Sequence, residues 1–442
     1  MKHLLFVVYY YPPINSSGVH RTIGFLNHLD PGEWSISILT VAMKKQSCAA
    51  SLELLDTISK NVTVYRAYEI DFFKPWRYIK RLLKREDVEM VTATSVVRDP
   101  SHGTSVWQKI KDQVSALLQT PDNQMGWLFP ALWRSRSIPR PDLIYSSAPP
   151  FTSHIVAACL KRRWDVPLVA DFRDPWSGNP FNAVHGGIAQ LLDRRLERFV
   201  MGNADAVIAN TQPMAVLIAE NFPKQKDRIH VITNGYDPQD YESIKPFRTV
   251  DRNKFLLLHI GLLYEQRNPL PFLRAVQSIA GNEVLGKRLL VQLIGPSEKF
   301  SGRSLADYVE ALGLIDVVEL IPPVSHKEAL ARAKGADVLL LFAQGTTLQV
   351  PAKLFEYLAL EKPIMGFCEP GSATEEIFIR LNQHRTLIQN DPRVLEACIL
   401  DLLENVGNEA LPLTPNPSSQ TFLRKQLTVQ LETIFRKLLE RA

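Results

Sequence analysis

The chain has 442 residues, of which 45% are hydrophobic and 22% charged, with a net charge of +5. That composition excludes a largely disordered or fibrous protein, and the length suits two domains of roughly 100–200 residues each. Four cysteines (Cys48, Cys159, Cys368 and Cys398) are scattered without a CxxC pair, which excludes a cysteine-based zinc finger and argues against a disulfide framework.

The chain opens on an apolar run, residues 3–9, broken by Pro12 and Pro13. It is too short to span a membrane and lacks a signal-peptide pattern, and no apolar stretch of about 18 residues occurs later. A polar loop, Ser16-Ser17-Gly18, leads into a predicted helix over 19–29 with Ile23, Leu26 and Leu29 on one face. Further strands are expected at 35–41, 62–65, 143–146, 168–171, 206–209 and 231–233. Buried apolar runs alternating with amphipathic helices predict βαβ units and a parallel sheet.

The stretch 72–85 interrupts this pattern with six bases and no acids among aromatic and aliphatic residues. Its composition suits a helix on an anionic membrane surface, or a solvated basic helix packed by its leucine face. A second alternating set follows, with strands at 255–260, 289–294, 317–320, 338–342 and 363–367 and helices at 269–279, 326–334 and 352–360. The fold class is therefore α/β, with two doubly wound Rossmann-like domains, 1–245 and 246–419. A long amphipathic helix over 420–442 follows a proline-rich linker.

Open α/β sheets bind ligands beyond the carboxyl ends of their strands, so candidate residues are sought there. In the first half, Gly18 and Arg21 follow the first strand, in a loop able to offer backbone N–H groups to an anion or a sugar hydroxyl. Ser146 closes another strand, and His154 follows it, either as an acid–base group or as a structural histidine. Arg173 and Asp174 sit beside Asp171 at a strand end, either as a structural ion pair or as polar groups offered to a cleft. Trp176 presents a flat face on which a sugar or acyl chain could stack.

The second half is more informative. Gly261 ends a strand and permits close backbone approach. Arg267 precedes a helix, where a cation is unfavourable unless an anion is bound. Lys353 stands near another helix start, and Glu356, three residues on, shares its face. A guanidinium fork and an ammonium suit a diphosphate, and a carboxylate can accept two vicinal hydroxyls. The bland alternative is an exposed Lys353–Glu356 ion pair.

Several motifs in order resemble a GT-B fold glycosyltransferase close to the retaining family 4 type: YYPP…SSG…R at 9–21, PDNQMGW at 121–127, SSAPP at 146–150, DFRDPW at 171–176, NADAVIANT at 203–211, ITNGYD at 232–237, HIGLLYEQRNP at 259–269 and PAKLFEYLALEKPIMG at 351–366. The resemblance implies two Rossmann-like domains facing a cleft, with the C-terminal helix crossing back to the first. It further implies that Gly261 and Arg267 meet the diphosphate of a nucleotide sugar, that Lys353 lies close by, that Glu356 holds the ribose, and that Gly18 closes over the donor. Arg267 and Lys353 would be the catalytic cations. Two departures stand out. Leu348 occupies the position of the first glutamate of the family's Glu-x7-Glu motif, and Leu262 and Leu263 follow the glycine where a base is common.

The expected function is transfer of a sugar from a nucleoside-diphosphate sugar to a saccharide or lipid-linked acceptor in surface polysaccharide or glycolipid assembly. Retention of configuration is expected, with no metal and no cofactor beyond the co-substrate. The expected location is cytoplasmic, with peripheral contact to the inner face of the plasma membrane through 72–85. A sugar-nucleotide epimerase and a catalytically inactive partner subunit are the alternatives. NAD binding is disfavoured because neither half has GxGxxG followed by an acidic residue, and nucleic acid is not an expected partner.

Overall fold

The computed structural model describes residues 1–14, 16–42, 62–72, 113–178, 187–249, 251, 253–282, 285–381, 391–405 and 417–441. The basic stretch 72–85 lies outside these residues apart from Phe72. The chain divides into two compact units. The first comprises Met1–Ala209, Ile218–His230 and Glu432–Ala442; the second comprises Asn210–Leu217 and Val231–Leu431. Among the described residues no helix is long and apolar enough to cross a membrane.

The first unit is built on a seven-stranded sheet. Its strands are β1 (Lys2–Val8), β2 (Trp34–Val41), β3 (Val62–Ala67), β4 (Leu143–Ala148), β5 (Leu168–Phe172), β6 (Ala206–Ala209) and β7 (Ile229–Val231), in the order β3-β2-β1-β4-β5-β6-β7. Pairing is parallel from β3 through to β6, with Leu5 opposite Ser37 on one side and Ile144 on the other. Leu4 to Val7 are wholly buried, as a strand covered on both faces requires. The order reverses between β1 and β4, so the loops after those strands flank the topological switch point. Residues from the C-terminal helix Arg424–Leu439 complete this core. Phe435 packs its ring at 5.9 Å from Trp34 and 6.1 Å from Tyr145. Glu432 accepts from Trp34 Nε1 at 3.0 Å, and Arg436 pairs with Glu33 at 2.7 Å.

The second unit holds a five-stranded parallel sheet of β8 (Phe255–Ile260), β9 (Leu289–Ile294), β10 (Val318–Ile321), β11 (Val338–Phe342) and β12 (Ile364–Phe367), in the order β10-β9-β8-β11-β12. One face is covered by Phe272, Leu273 and Val276 of the helix Leu270–Ala280. The other is covered by Leu354, Phe355, Tyr357 and Leu358 of the helix Lys353–Ala359. Here the switch point falls between β8 and β11, which places the loop after Ile260 beside the loop that leads to Lys353.

Candidate active site

In the second unit the geometry begins with two crowded strand ends. Gly261 has φ +129°, a conformation that side chains resist, and its N–H donates to the Ile294 carbonyl at 2.7 Å. Gly295, at the end of β9, has φ +127°, and a Cβ there would stand 2.7 Å from the Gly261 carbonyl oxygen. On the opposite side, Lys353 Nζ donates to the carbonyl of Ile260 and fills the space that a Cβ on Gly261 would need. Gly345, with φ +76°, lets the loop after β11 close against Gln266. The two switch-point loops therefore meet where Gly345 closes on the Gln266 side chain and where Lys353 reaches the Ile260 carbonyl, while the glycine-to-glycine backbone contact joins the ends of β8 and β9.

Arg267 ends a short 3-10 turn, Glu265–Arg267, ahead of the helix Leu270–Ala280 rather than opening that helix. Its guanidinium lies 5.1 Å from the centre of the Tyr264 ring, and its buried Nε has no hydrogen-bond partner. Among the described residues neither Arg267 nor Lys353 forms an ion pair. Burial, and then the charge of Arg267, push the Lys353 ammonium down to about 8, against the opposing pull of Glu356. Burial raises the Glu356 carboxyl, opposed by His326, Lys353 and Arg424, and its Oε1 lies 3.8 Å from His326 Nε2. Lys353 and Glu356 are thus half-buried neighbours on one face and not an exposed surface pair.

His259 was not singled out from sequence. It is buried in β8 with Nδ1 3.0 Å from the Leu340 carbonyl oxygen. Burial, helped by Lys353 and Arg267, pushes its imidazole down to about 3, so it is neutral beside two cations. The signal was a lone histidine inside the run Leu256-Leu257-Leu258-His259-Ile260. Thr211, which closes the NADAVIANT motif but received no role of its own from sequence, donates its hydroxyl to the Leu348 carbonyl at 2.6 Å. At the position of the absent first glutamate, the chain is thus held by its backbone.

The first unit treats its candidates differently. Arg21 is buried and grips Asp171 with both Nε and Nη2 at 2.8 Å. Tyr145 donates to Asp171 at 2.5 Å and Ser147 at 3.2 Å. Arg21, expected beside a ligand, is instead one half of a structural ion pair, because a buried guanidinium needs a carboxylate within reach. Ser146 Oγ and His154 Nδ1 lie 2.8 Å apart, both fully buried, and burial pushes His154 down to about 3. A neutral, enclosed imidazole is a packing residue and not an acid–base group open to substrate. Trp176 is only 3% exposed; its ring stacks on Phe151 at 4.5 Å and its Nε1 donates to Asp193 at 2.8 Å. The face expected to receive a sugar is already covered.

Gly18 and Arg173 are brought together. Arg173 donates from Nε to the Ala148 carbonyl at 3.3 Å and from Nη2 to the Pro149 carbonyl, and its guanidinium occupies the place of a side chain on Gly18. Asp174, half-buried, adds its negative charge to the surroundings of Arg173. Gly18 and Arg173 therefore sit at the β1/β4 switch point, while Arg21, Ser146, His154 and Trp176 belong to the packing behind it.

Solved structures share this architecture across the whole chain. HepE from Anabaena, solved in complex with UDP, is similar with a TM-score of 0.61 at 14% identity, covering 99% of this chain and 100% of its own. The fold is GT-B. A sucrose-phosphate synthase from Thermosynechococcus elongatus has the same GT-B architecture, with a TM-score of 0.60 at 11% identity and full coverage of both chains. Residues 76–240 match Glycosyltransferase Family 4. A D-inositol 3-phosphate glycosyltransferase from Kineococcus radiotolerans is 27% identical over 224 residues, 48% of this chain and 51% of the relative. The chain spans about half the length of the curated relatives it matches. On this GT-B chain, Gly261, Arg267, Lys353 and Glu356 all come from the second unit, and Gly18 comes from the first.

Proposed function

We propose that the chain is a glycosyltransferase that takes a sugar from a nucleoside diphosphate and passes it to a saccharide or lipid-linked acceptor in surface polysaccharide or glycolipid assembly. The observation that carries this reading is the pair Arg267 and Lys353 at the β8/β11 switch point. Both are partly buried, and neither is neutralised by an ion pair among the described residues. Such an arrangement is costly in the free protein and is relieved by a bound anion. The UDP in the HepE structure supports a nucleotide as that anion.

In the proposed reaction the bond between the sugar C1 and the diphosphate oxygen breaks, and a bond from the acceptor oxygen to C1 forms. The acceptor proton passes to the departing phosphate oxygen, and the nucleoside diphosphate leaves. Arg267 and Lys353 stabilise the charge that grows on that oxygen, a contribution of roughly 2.7–4 kcal/mol for a well-placed donor. Glu356 accepts from the ribose hydroxyls. Two cations make a metal unnecessary, and transfer on the face that the phosphate leaves gives retention. Cytoplasmic placement, with the basic stretch 72–85 against anionic lipid, completes the reading.

The test is a thermal-shift and calorimetric screen of UDP, GDP, ADP and their sugars, since a ligand of the folded state raises its melting temperature. Arg267→Ala and Lys353→Ala should each lower turnover by about 10²-fold or more. Product NMR reads the anomer, and turnover after chelation reads the metal requirement. A chain that binds no nucleotide sugar would end the proposal. One that binds but does not transfer would be an epimerase or an inactive subunit.

A further inference from the structure

The second unit holds a cavity of about 330 Å³ whose walls include neither Gly261, Arg267, Lys353 nor Glu356. That volume falls at the lower end of the roughly 300–1,000 Å³ typical of small-molecule sites. The floor is apolar and is gathered from three places in the chain. Val350 comes from the loop before the helix Lys353–Ala359, Ile377 from the helix Ala373–Arg380, and Leu427 from the helix Arg424–Leu439. All three are buried. Phe422 also borders the cavity, but its ring is enclosed, only 1% exposed, with the Phe355 ring 5.7 Å away.

The mouth is polar. Glu376 and Arg380 stand one turn apart on one face of the helix Ala373–Arg380, and both are exposed. The Arg380 guanidinium lies 5.4 Å from the centre of the Phe422 ring and does not pair with Glu376. Gln212, which opens the helix Gln212–Asn221, and Gln430, on the C-terminal helix, are the other exposed groups. Among the described residues, none of these four side chains is engaged in a hydrogen bond or an ion pair. Thr233 and Thr421 add two hydroxyls to the wall.

We propose that this cavity is a second binding site and that its ligand is a neutral saccharide. The lining carries one acid and one base, so no net charge selects a phosphate or a cation. A carboxylate, a guanidinium and two amides are planar groups with paired acceptors or donors, which suit the vicinal hydroxyls of a sugar ring. The apolar floor meets the C–H face of such a ring. A nucleobase would find no aromatic face to stack on, because Phe422 is enclosed. An amino acid could span Glu376 and Arg380 but would leave both glutamine amides without partners. The inference does not depend on the glycosyltransferase proposal.

The experiment uses the full chain and saturation-transfer NMR. The probes are glucose, galactose, mannose, N-acetylglucosamine and maltose, with glutamine as the amino-acid control, each titrated with and without saturating UDP. At least one sugar should bind, and UDP should not displace it. Glu376→Ala combined with Arg380→Ala should weaken that binding by about tenfold or more, the loss expected from hydrogen bonds to two charged groups. Affinity for UDP should stay at the parent value. Both side chains are exposed, so the double variant should melt as the parent does. If it melts lower, Gln430→Trp decides alone, since an indole at the mouth should exclude the sugar. The proposal is overturned if no sugar binds, if UDP displaces the sugar, or if glutamine binds in its place. Parent-like sugar affinity in a normally melting double variant, or in Gln430→Trp, would overturn it too. Sugar binding without any UDP binding would end the glycosyltransferase reading and leave this site standing.

Discussion

The ammonium of Lys353 occupies the volume that a side chain on Gly261 would take, and it is held there by the carbonyl of Ile260. A strand end and a helix start are thus interlocked through an absent Cβ. Gly261→Ala would have to adopt φ +129° and displace Lys353 as well. Strain of this kind costs about 1–3 kcal/mol. We expect the variant to fold with a lower melting temperature and to lose UDP affinity by at least tenfold by calorimetry. Wild-type affinity would show that Lys353 need not sit where it does.

The depressed Lys353 pKa, about 8, predicts proton uptake on binding. A diphosphate beside the ammonium favours its charged form and raises that pKa. Above pH 8 the free protein carries a partly neutral Lys353, so binding should take up a fraction of a proton. Calorimetry in buffers of different ionisation enthalpy reads that fraction. Lys353→Met should abolish it, and turnover should fall as the pH rises through about 8 when nucleotide is below saturation.

Asp171 holds Arg21, Tyr145 and Ser147 together inside the first unit. Removing one partner leaves an uncompensated buried charge, so Arg21→Met or Asp171→Asn should each cost about 3–5 kcal/mol in denaturant unfolding. The Arg21 charge and hydrogen bonds lower the Asp171 pKa against the effect of burial. Its stabilising contribution is therefore present above the ordinary carboxylate range and lost only as the pH falls through its lowered value. Melting curves of the parent at pH 5 should not reveal it.

His154 and His259 behave in the opposite sense. Both are buried neutral, with pKa values near 3 against 6.5 in the unfolded chain. Unfolding takes up a proton at each, so the stability that they permit is complete above about pH 6.5 and declines as the pH falls toward 3. Each contributes a slope approaching 1.4 kcal/mol per pH unit in that window. His154→Gln and His259→Gln should each flatten the acid limb of the stability profile by about that amount, read from urea midpoints at pH 6, 5 and 4. An unchanged slope would mean that the ring charges in the native state.

Strand positions were legible because parallel strands covered on both faces must be continuous apolar runs, and 255–260, 289–294 and 338–342 coincide with β8, β9 and β11. The grouping of Gly261, Arg267 and Lys353 was expected from the family resemblance, and the observed strand order puts those loops side by side. What could not be read was which polar residue at a strand end turns inward. Asp171, Arg173 and Asp174 are adjacent, yet Asp171 is consumed by Arg21 while Arg173 reaches the Gly18 loop. Trp176 looked like a platform because its indole offers a flat face just past a strand end. Phe151, twenty-five residues upstream, is what covers it. Such choices depend on partners distant along the chain, which spacing does not encode.

Trp34 finds its hydrogen-bond acceptor at Glu432 and a ring neighbour at Phe435, some four hundred residues further on. During synthesis the sheet begun at Lys2 must wait, with the Trp34 indole unpaired and Tyr145 lacking one of its ring neighbours, until Glu432 and Phe435 have left the ribosome. Stalled or prematurely released chains should accordingly be sticky, protease-sensitive and in need of a chaperone, even when all seven strands of the first unit are already made.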